Sequence, residues 1–214
     1  MKSAKKQELK SELHSIWNIL LLTIQCYEYS YYLYYPKRIK EKEYITNSFF
    51  FDFTRHIYWR VTIIELSKLI VDNKETQKYN IHHFLNKLKK NGHFGKLGFE
   101  IRKIDEWETL FNKNSEVIKE IESLRNKIYS HTDRNIASLI DDSIITFEKV
   151  ETIINIIGNI ITKIGSDLLN EHIVIKPLNV VREKFSLINI LVDEKEKRTN
   201  KIVKDFIESA NKNK

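Results

Sequence analysis

The apolar residues between Phe147 and Leu168 repeat at alternating steps of three and four positions, without interruption over three heptads. This spacing places them on one side of an α-helix, because about 3.6 residues make one turn. The whole sequence contains only five glycines and two prolines, the residues that the many tight turns of β-rich folds require. The sequence therefore predicts an all-α protein.

The same rhythm predicts three more long helices, so we expect an up-and-down bundle of four long helices plus short ones. Polar or charged stretches separate them, and Pro36 with the charged residues after it should end the first. IHHFLNKLKK predicts a short helix, and Asp105 is a candidate N-cap of the third long helix. The long helices are expected at about 3–34, 47–71, 105–130 and 141–169. The second should bury Phe50, Phe53, Ile57, Val61, Ile64 and Lys68, flanked by Trp59 and Leu66.

The pattern changes after the fourth helix, where Pro177 interrupts a mixture of β-branched and polar residues. We expect a bundle domain over residues 1–170. Residues 171–214 are expected to form a C-terminal extension of unclear fold, partly helical because its end is a charged stretch with helical character.

The chain carries a net charge of +7, which favours polyanionic partners such as nucleic acid. An A/T-rich genome could supply the same lysines, so charge alone leaves both explanations open. The single cysteine, Cys26, excludes an internal disulfide and a Cys-rich zinc site, and it favours a reducing cytoplasm. We expect neither a signal peptide nor a membrane span, since no apolar run approaches about 20 residues.

Three other features invite a functional reading. Five tyrosines between positions 29 and 35 could stack on bases, although such clusters more often belong to a core or a dimer seam. The glycines of NGHFGKLGF lack the ending of a phosphate-binding loop and predict a turn. His82 and His83 lack ligand partners at metal spacing and predict a surface pair, so no metal and no cofactor is expected.

The stretch LRNKIYSHTDRN, residues 124–135, holds the strongest signal. Arg125 falls on the helix face of Ile118 and Ile121, where an unpaired guanidinium is costly to bury. An ordinary structural explanation is a surface pair between Arg125 and Glu122, with His131 capping the last helical carbonyls. The alternative is that an anion meets the guanidinium on this face.

The arrangement of Arg125, the polar Asn126 and His131 after five intervening residues resembles the signature of the HEPN superfamily. Residues 65–90 resemble the helix, Asp, loop and helix segment of its AbiU-like branch, which is associated with abortive infection. In that branch the signature commonly continues to an Asp two residues after the His, and Asp133 occupies this position. The resemblance covers about residues 10–170.

This resemblance implies a metal-independent endoribonuclease, or a degenerate relative that binds RNA or protein without cleaving it. It implies a homodimer with two signature copies facing each other, and a cognate antitoxin or defence partner is a further expectation. Arg125, His131 and Asn126 are the catalytic candidates. Lys127 and Tyr129 could contact RNA, and Asp133 would support the loop or the histidine.

Overall fold

A computed structural model describes residues 2–71, 79–130, 145–176 and 178–212. For residues 2, 127–130, 178–186 and 212 it describes the backbone alone. These ranges contain helices and no β-strand, which confirms the all-α prediction. Eight α-helices are described: α1 (Lys2–Tyr34), α2 (Ile39–Thr46), α3 (Phe49–Ile70), α4 (Ile81–Leu88), α5 (Ile101–Lys113), α6 (Ser115–Ser130), α7 (Phe147–Ile164) and α8 (Leu178–Lys212).

Helix α1 lies at the centre of the bundle, and α3 and α7 each run antiparallel to it. Near the C-terminal end of α1, the Ser30 hydroxyl donates to the Arg55 carbonyl, and the Tyr27 hydroxyl donates to the Phe147 carbonyl. Near its other end, His14 contacts Glu171, which follows α7. The up-and-down arrangement is therefore confirmed, with α6 packed against the other side of α3.

The apolar side chains of α1 from Leu13 to Tyr27 line its buried face, whereas the predicted buried stripe of α3 is wrong in part. Phe50 and Phe53 are 67% and 52% exposed, and Lys68 is also exposed. Trp59 and Leu66 are buried as expected, and the buried line of α3 also includes His56, Ile63 and Ile70. Apolar and aromatic residues occur on several sides of this helix, so more than one face satisfies the helical period, and contact with α1 decides among them.

Three predicted helix boundaries also differ from the structure. The helix expected from residue 141 begins at Phe147, with Thr146 as its N-cap. The expected helix over 105–130 is divided at Asn114, whose side-chain amide donates to the Leu110 carbonyl at 2.8 Å. Asparagine competes for backbone groups in this way and favours helix ends. Asp105 is not the N-cap, because α5 begins at Ile101 after the N-cap residue Glu100.

The charged stretch after Pro36 does more than end α1, since it forms α2. The backbone N–H of Arg38 donates to the Glu41 carboxylate at 3.5 Å, which satisfies one free backbone donor at the start of the helix. Ile45 is buried with Phe51 and with Ile188 and Val192 of α8 in a second apolar cluster. Helix α8 thus packs against both α1 and α2.

The residues between α7 and α8 lie along the surface of the bundle. The chain leaves a π-helical turn, Gly165–Leu169, through Asn170, whose φ of 58° is left-handed. A Cβ at Gly165 would lie 2.6 Å from the Ile173 side chain, so glycine makes room for this segment. The Trp17 indole N–H donates to the Val174 carbonyl at 3.0 Å, and this hydrogen bond holds the segment against α1.

Helix α7 and its π-helical turn form the most apolar segment among the described residues. By length and composition this segment could cross a membrane, with a mean hydropathy of 1.2, but half of it is buried inside the bundle. A core helix of a soluble protein has the same properties. Cys26 is buried as well, and burial raises the pKa of its thiol to about 11.

Candidate active site

Arg125 lies at the edge of the buried face of α6. The centre of that face is Ile121, which is fully buried, with Val117 and Leu124 also buried on one side of it. Arg125 follows Ile121 by four positions, about 40° around the helix, and is half-buried beside the half-buried Ile118. The guanidinium stem is therefore packed, while its head can reach the surface.

The guanidinium of Arg125 is held by its neighbour in sequence. Both Nε and Nη2 donate to the side-chain oxygen of Asn126, at 3.2 and 3.0 Å. Asn126 is exposed. Within the described ranges, neither Glu122 nor any other carboxylate forms an ion pair with Arg125, so the proposed surface pair with Glu122 does not form.

An amide oxygen accepts hydrogen bonds without neutralising a positive charge. Arg125 cannot lose its proton under ordinary conditions, so the charge remains available to an anion at the edge of α6. The hydrogen bonds to Asn126 orient the planar fork, and a guanidinium fork matches the oxygens of a phosphate. This geometry suits phosphate binding.

The structure brings the side chains of Arg125 and Asn126 together. The other predicted site residues come after them in the sequence. Lys127 and Tyr129 lie in the last turn of α6, where only the backbone is described. His131 and Asp133 lie outside the described residues. The assignments of these four residues therefore remain predictions.

A second polar cluster, which the sequence did not predict, connects α1 with α3. The Tyr34 hydroxyl and His56 Nδ1 are 2.7 Å apart, and His56 Nε2 is 3.9 Å from Asp52 Oδ1. Arg55 donates through Nη2 to the same Asp52 oxygen at 2.5 Å. Its guanidinium carbon lies 4.6 Å from the centre of the Tyr34 ring, a cation–π contact.

The sequence carried a signal for this cluster. Asp52, Arg55 and His56 occupy positions i, i+3 and i+4 of α3, so they share one face. The wrong choice of buried face for α3 hid this signal, because it placed Phe53 in the core instead of His56.

The tyrosine run divides into buried and exposed rings. Tyr32 is buried, Tyr29 and Tyr34 are half-buried, and Tyr31 and Tyr35 are 41% and 58% exposed. The side chain of Phe147 at the start of α7 contacts several of these rings. The core interpretation therefore holds for Tyr32, and Tyr31 and Tyr35 are surface residues.

The glycine-rich stretch and the histidine pair have structural roles in the fold. The glycine stretch forms a turn, as predicted, followed by a short 3₁₀ helix, and Gly98 has a left-handed φ of 80°. His82 is half-buried with its ring centre 4.7 Å from that of Phe111. The part of the chain that the structure describes contains no group of three or more His, Cys, Asp or Glu side chains that could hold a metal ion.

An all-α bundle that carries an Arg–Asn pair near the end of a long helix is the architecture expected of a HEPN protein. The family model described as AbiU2, a HEPN family, matches residues 6–184. The chain therefore belongs to the AbiU2 family, and the resemblance inferred from the motif is confirmed. No curated protein and no solved structure gives a significant match.

Proposed function

We propose that the chain is a metal-independent endoribonuclease of HEPN type, in which Arg125, Asn126 and His131 act on a phosphodiester of RNA. The observation that carries this proposal is the guanidinium of Arg125, half-buried at the edge of α6 and held by a neutral amide. A retained charge in a fixed orientation is what binding of a phosphate requires. Family membership supports a role related to RNA cleavage or abortive infection.

The residue types match the chemistry of RNA cleavage. The 2′-hydroxyl of RNA is an internal nucleophile. A base removes its proton as the O2′–P bond forms, the P–O5′ bond breaks, and an acid protonates the departing 5′-oxygen. The products are a 2′,3′-cyclic phosphate and a 5′-hydroxyl. A histidine with a pKa near about 6.5 can exchange these protons, and Arg125 would stabilise the charge on the phosphate.

The active species in this proposal is a homodimer, in which His131 of one copy accepts the proton and its mate donates one. An exposed aromatic patch on α3 supports a seam between copies. Phe49, Phe50 and Phe53 are 84%, 67% and 52% exposed, and the rings of Phe49 and Phe53 stack at 6.4 Å. Exposed aromatic surfaces of this kind are enriched at interfaces. The patch lies on the helix that packs against α6.

The biological role that fits this activity is that of a toxin or phage-defence effector in the cytoplasm, where RNA is accessible. Such an effector requires control, so a cognate antitoxin or defence partner belongs to the proposal. The net charge of +7 favours approach to RNA.

Cleavage of a mixed RNA pool in the presence of EDTA tests the activity. We expect the wild-type protein to produce fragments with 2′,3′-cyclic phosphate ends. His131→Ala should lose cleavage, and Arg125→Ala should lose about 100-fold or more. Matched controls are His172→Ala and Arg102→Ala, because both side chains are exposed and distant in sequence from the motif. Both controls should cleave like wild type.

The possible results separate the proposal from a non-catalytic module. Equal cleavage by wild type and His131→Ala would contradict it. Tight RNA binding with steep salt dependence and no products would instead indicate a HEPN-like binding protein. For the dimer, light scattering should show that Phe49→Asp with Phe53→Asp converts a dimer to a monomer without cleavage activity. A fully active monomer would overturn the proposed seam.

A further inference from the structure

The exposed tyrosines of α1 form an aromatic surface of their own, separate from the phenylalanine patch. Tyr31 and Tyr35 are one helical turn apart, and their ring centres lie 5.2 Å from each other. Both remain substantially exposed, at 41% and 58%. They therefore present two neighbouring rings on one face of α1 to the surroundings.

Both rings are held in place by Phe147. Its ring centre lies 5.4 Å from Tyr31 and 5.6 Å from Tyr35, with nearly perpendicular planes in both cases. Phe147 itself is 7% exposed and packs on Trp59 at 4.3 Å. Because Phe147 is anchored in the core, the exposed rings lose little freedom when a ligand stacks on them.

Charged side chains flank this surface. On one side is Arg55, whose guanidinium lies over the Tyr34 ring and pairs with Asp52, so that this pair adds little net charge. On the other side the chain continues from Tyr35 through Pro36 to the exposed Lys37, whose Cα is at most about 7 Å from that of Tyr35. Aromatic rings interleaved with cations are the recognition elements for single-stranded nucleic acid.

We propose that Tyr31, Tyr35 and Lys37 form a binding site for single-stranded RNA, in which the rings stack on bases and the lysine contacts the backbone phosphate. The class of ligand rests on the proposed function. The hydroxyl groups on the rings and the neighbouring lysine suit RNA better than a protein interface. The phenylalanine patch has no such groups and suits a protein interface better. Helix α3 connects this surface to Arg125, because α3 carries Arg55 and packs against α6, the helix of Arg125.

The site lies near Phe147, which follows residues 131–144 closely in sequence. Residues 131–144 connect the end of α6 at Ser130 to Phe147 through Ile145 and Thr146. The residue that supports the tyrosines is thus the first residue of the helix after this segment.

Binding of a fluorescent 2′-O-methyl oligouridylate tests the inference, because this probe cannot be cleaved through its 2′-oxygen. Fluorescence anisotropy should show that Tyr31→Ala and Tyr35→Ala each weaken binding about tenfold. Tyr35→Phe should bind within about twofold of wild type, because the ring is retained. Phe206→Ala removes an aromatic side chain that is 74% exposed elsewhere and serves as the matched control.

Salt dependence tests the lysine separately. Lys37→Ala should reduce the slope of log Kd against log salt by about 0.7, the value expected for one lost phosphate contact on a single strand. Lys113→Ala, at an exposed position at the end of α5, should leave the slope unchanged. An unchanged slope for Lys37→Ala would remove this residue from the site.

The outcomes distinguish this inference from the proposed nuclease. Binding that depends on the tyrosines, without cleavage of ordinary RNA by wild type, would support the site and reject the nuclease. Cleavage that depends on His131, with oligouridylate binding unaffected by Tyr31→Ala and Tyr35→Ala, would reject the site and keep the nuclease. Failure of wild type to bind the probe, or loss of dimerisation in Tyr35→Ala with unchanged binding, would also overturn the site.

Discussion

Arg125 donates two hydrogen bonds to a single oxygen of Asn126, from Nε at 3.2 Å and from Nη2 at 3.0 Å. Adjacent residues of a helix point about 100° apart, so only a long side chain that folds back can make this contact. The pair fixes the direction of the guanidinium, and no carboxylate in the described ranges compensates its charge. This relationship gives the polar residue of the motif a specific role, namely orientation of the arginine.

Substitutions of Asn126 test that role. Asn126→Ala should lower kcat/KM for RNA about tenfold, the equivalent of one or two lost hydrogen bonds. Asn126→Asp should lower it further, about 100-fold, because a carboxylate would pair with Arg125 and compete with the phosphate. Thermal unfolding should change little in both variants, since Asn126 is exposed. An Asp variant with wild-type activity would contradict the role.

Phe147 is the second position where one side chain supports many others. Its ring lies within contact of Tyr27, Tyr31, Tyr34, Tyr35 and Trp59. Phe147→Ala should lower the free energy of unfolding in urea by about 3–5 kcal/mol, because a large cavity would remain at the top of α7. Phe206→Ala should change it by less than about 0.5 kcal/mol. Similar losses in both variants would show that Phe147 does not anchor this cluster.

The helical class and the extents of the first two long helices could be predicted because they depend on local periodicity. The first helix was expected over 3–34 and extends from Lys2 to Tyr34. The buried face of α3 could not be predicted in the same way, since its aromatic residues surround the helix. That choice depends on tertiary contacts such as the one between Tyr34 and His56.

The candidate site could be predicted in part for the same reason. Arg125 and Asn126 are neighbours in sequence, so the motif identifies both. The cluster of Asp52, Arg55 and His56 gains its meaning from Tyr34 on another helix, and no local pattern contains that pairing. Asn114 and the cap of α2 show that single polar contacts set helix ends within long charged stretches.

Asn80 is a buried polar residue whose interactions give a sharp prediction. It is fully buried, and its oxygen accepts from the backbone N–H groups of His82 and His83 at 2.9 and 3.4 Å. Its amide also donates to the Val71 carbonyl at 2.9 Å. Asn80→Ala should therefore cost about 2–3 kcal/mol of unfolding free energy, from a lost cap and an unsatisfied carbonyl.

Asn80→Ser separates these two contributions. Serine is a good N-cap, so it should recover about 1 kcal/mol of the loss while the Val71 carbonyl remains unpaired. Urea unfolding of the three proteins measures the difference. Equal stability of the Ala and Ser variants would show that the cap of α4 contributes nothing.

Glu171 links the residues after α7 to α1 and makes stability depend on pH. It forms an ion pair with Lys10, and its other oxygen lies 3.0 Å from His14 Nε2. These two partners lower the pKa of the Glu171 carboxyl below its ordinary value of 4.5. A lowered folded-state pKa means that the stabilisation is present above about pH 4.5 and is lost as the pH falls through the folded-state value.

Thermal unfolding should therefore show wild type more stable than Glu171→Gln at pH 7, with the difference shrinking between pH 5 and pH 3. In a Lys10→Met background the same substitution should have a smaller effect at pH 7, because the first partner is gone. A difference that stays constant down to pH 3 would mean that the carboxylate of Glu171 is not what joins this segment to α1.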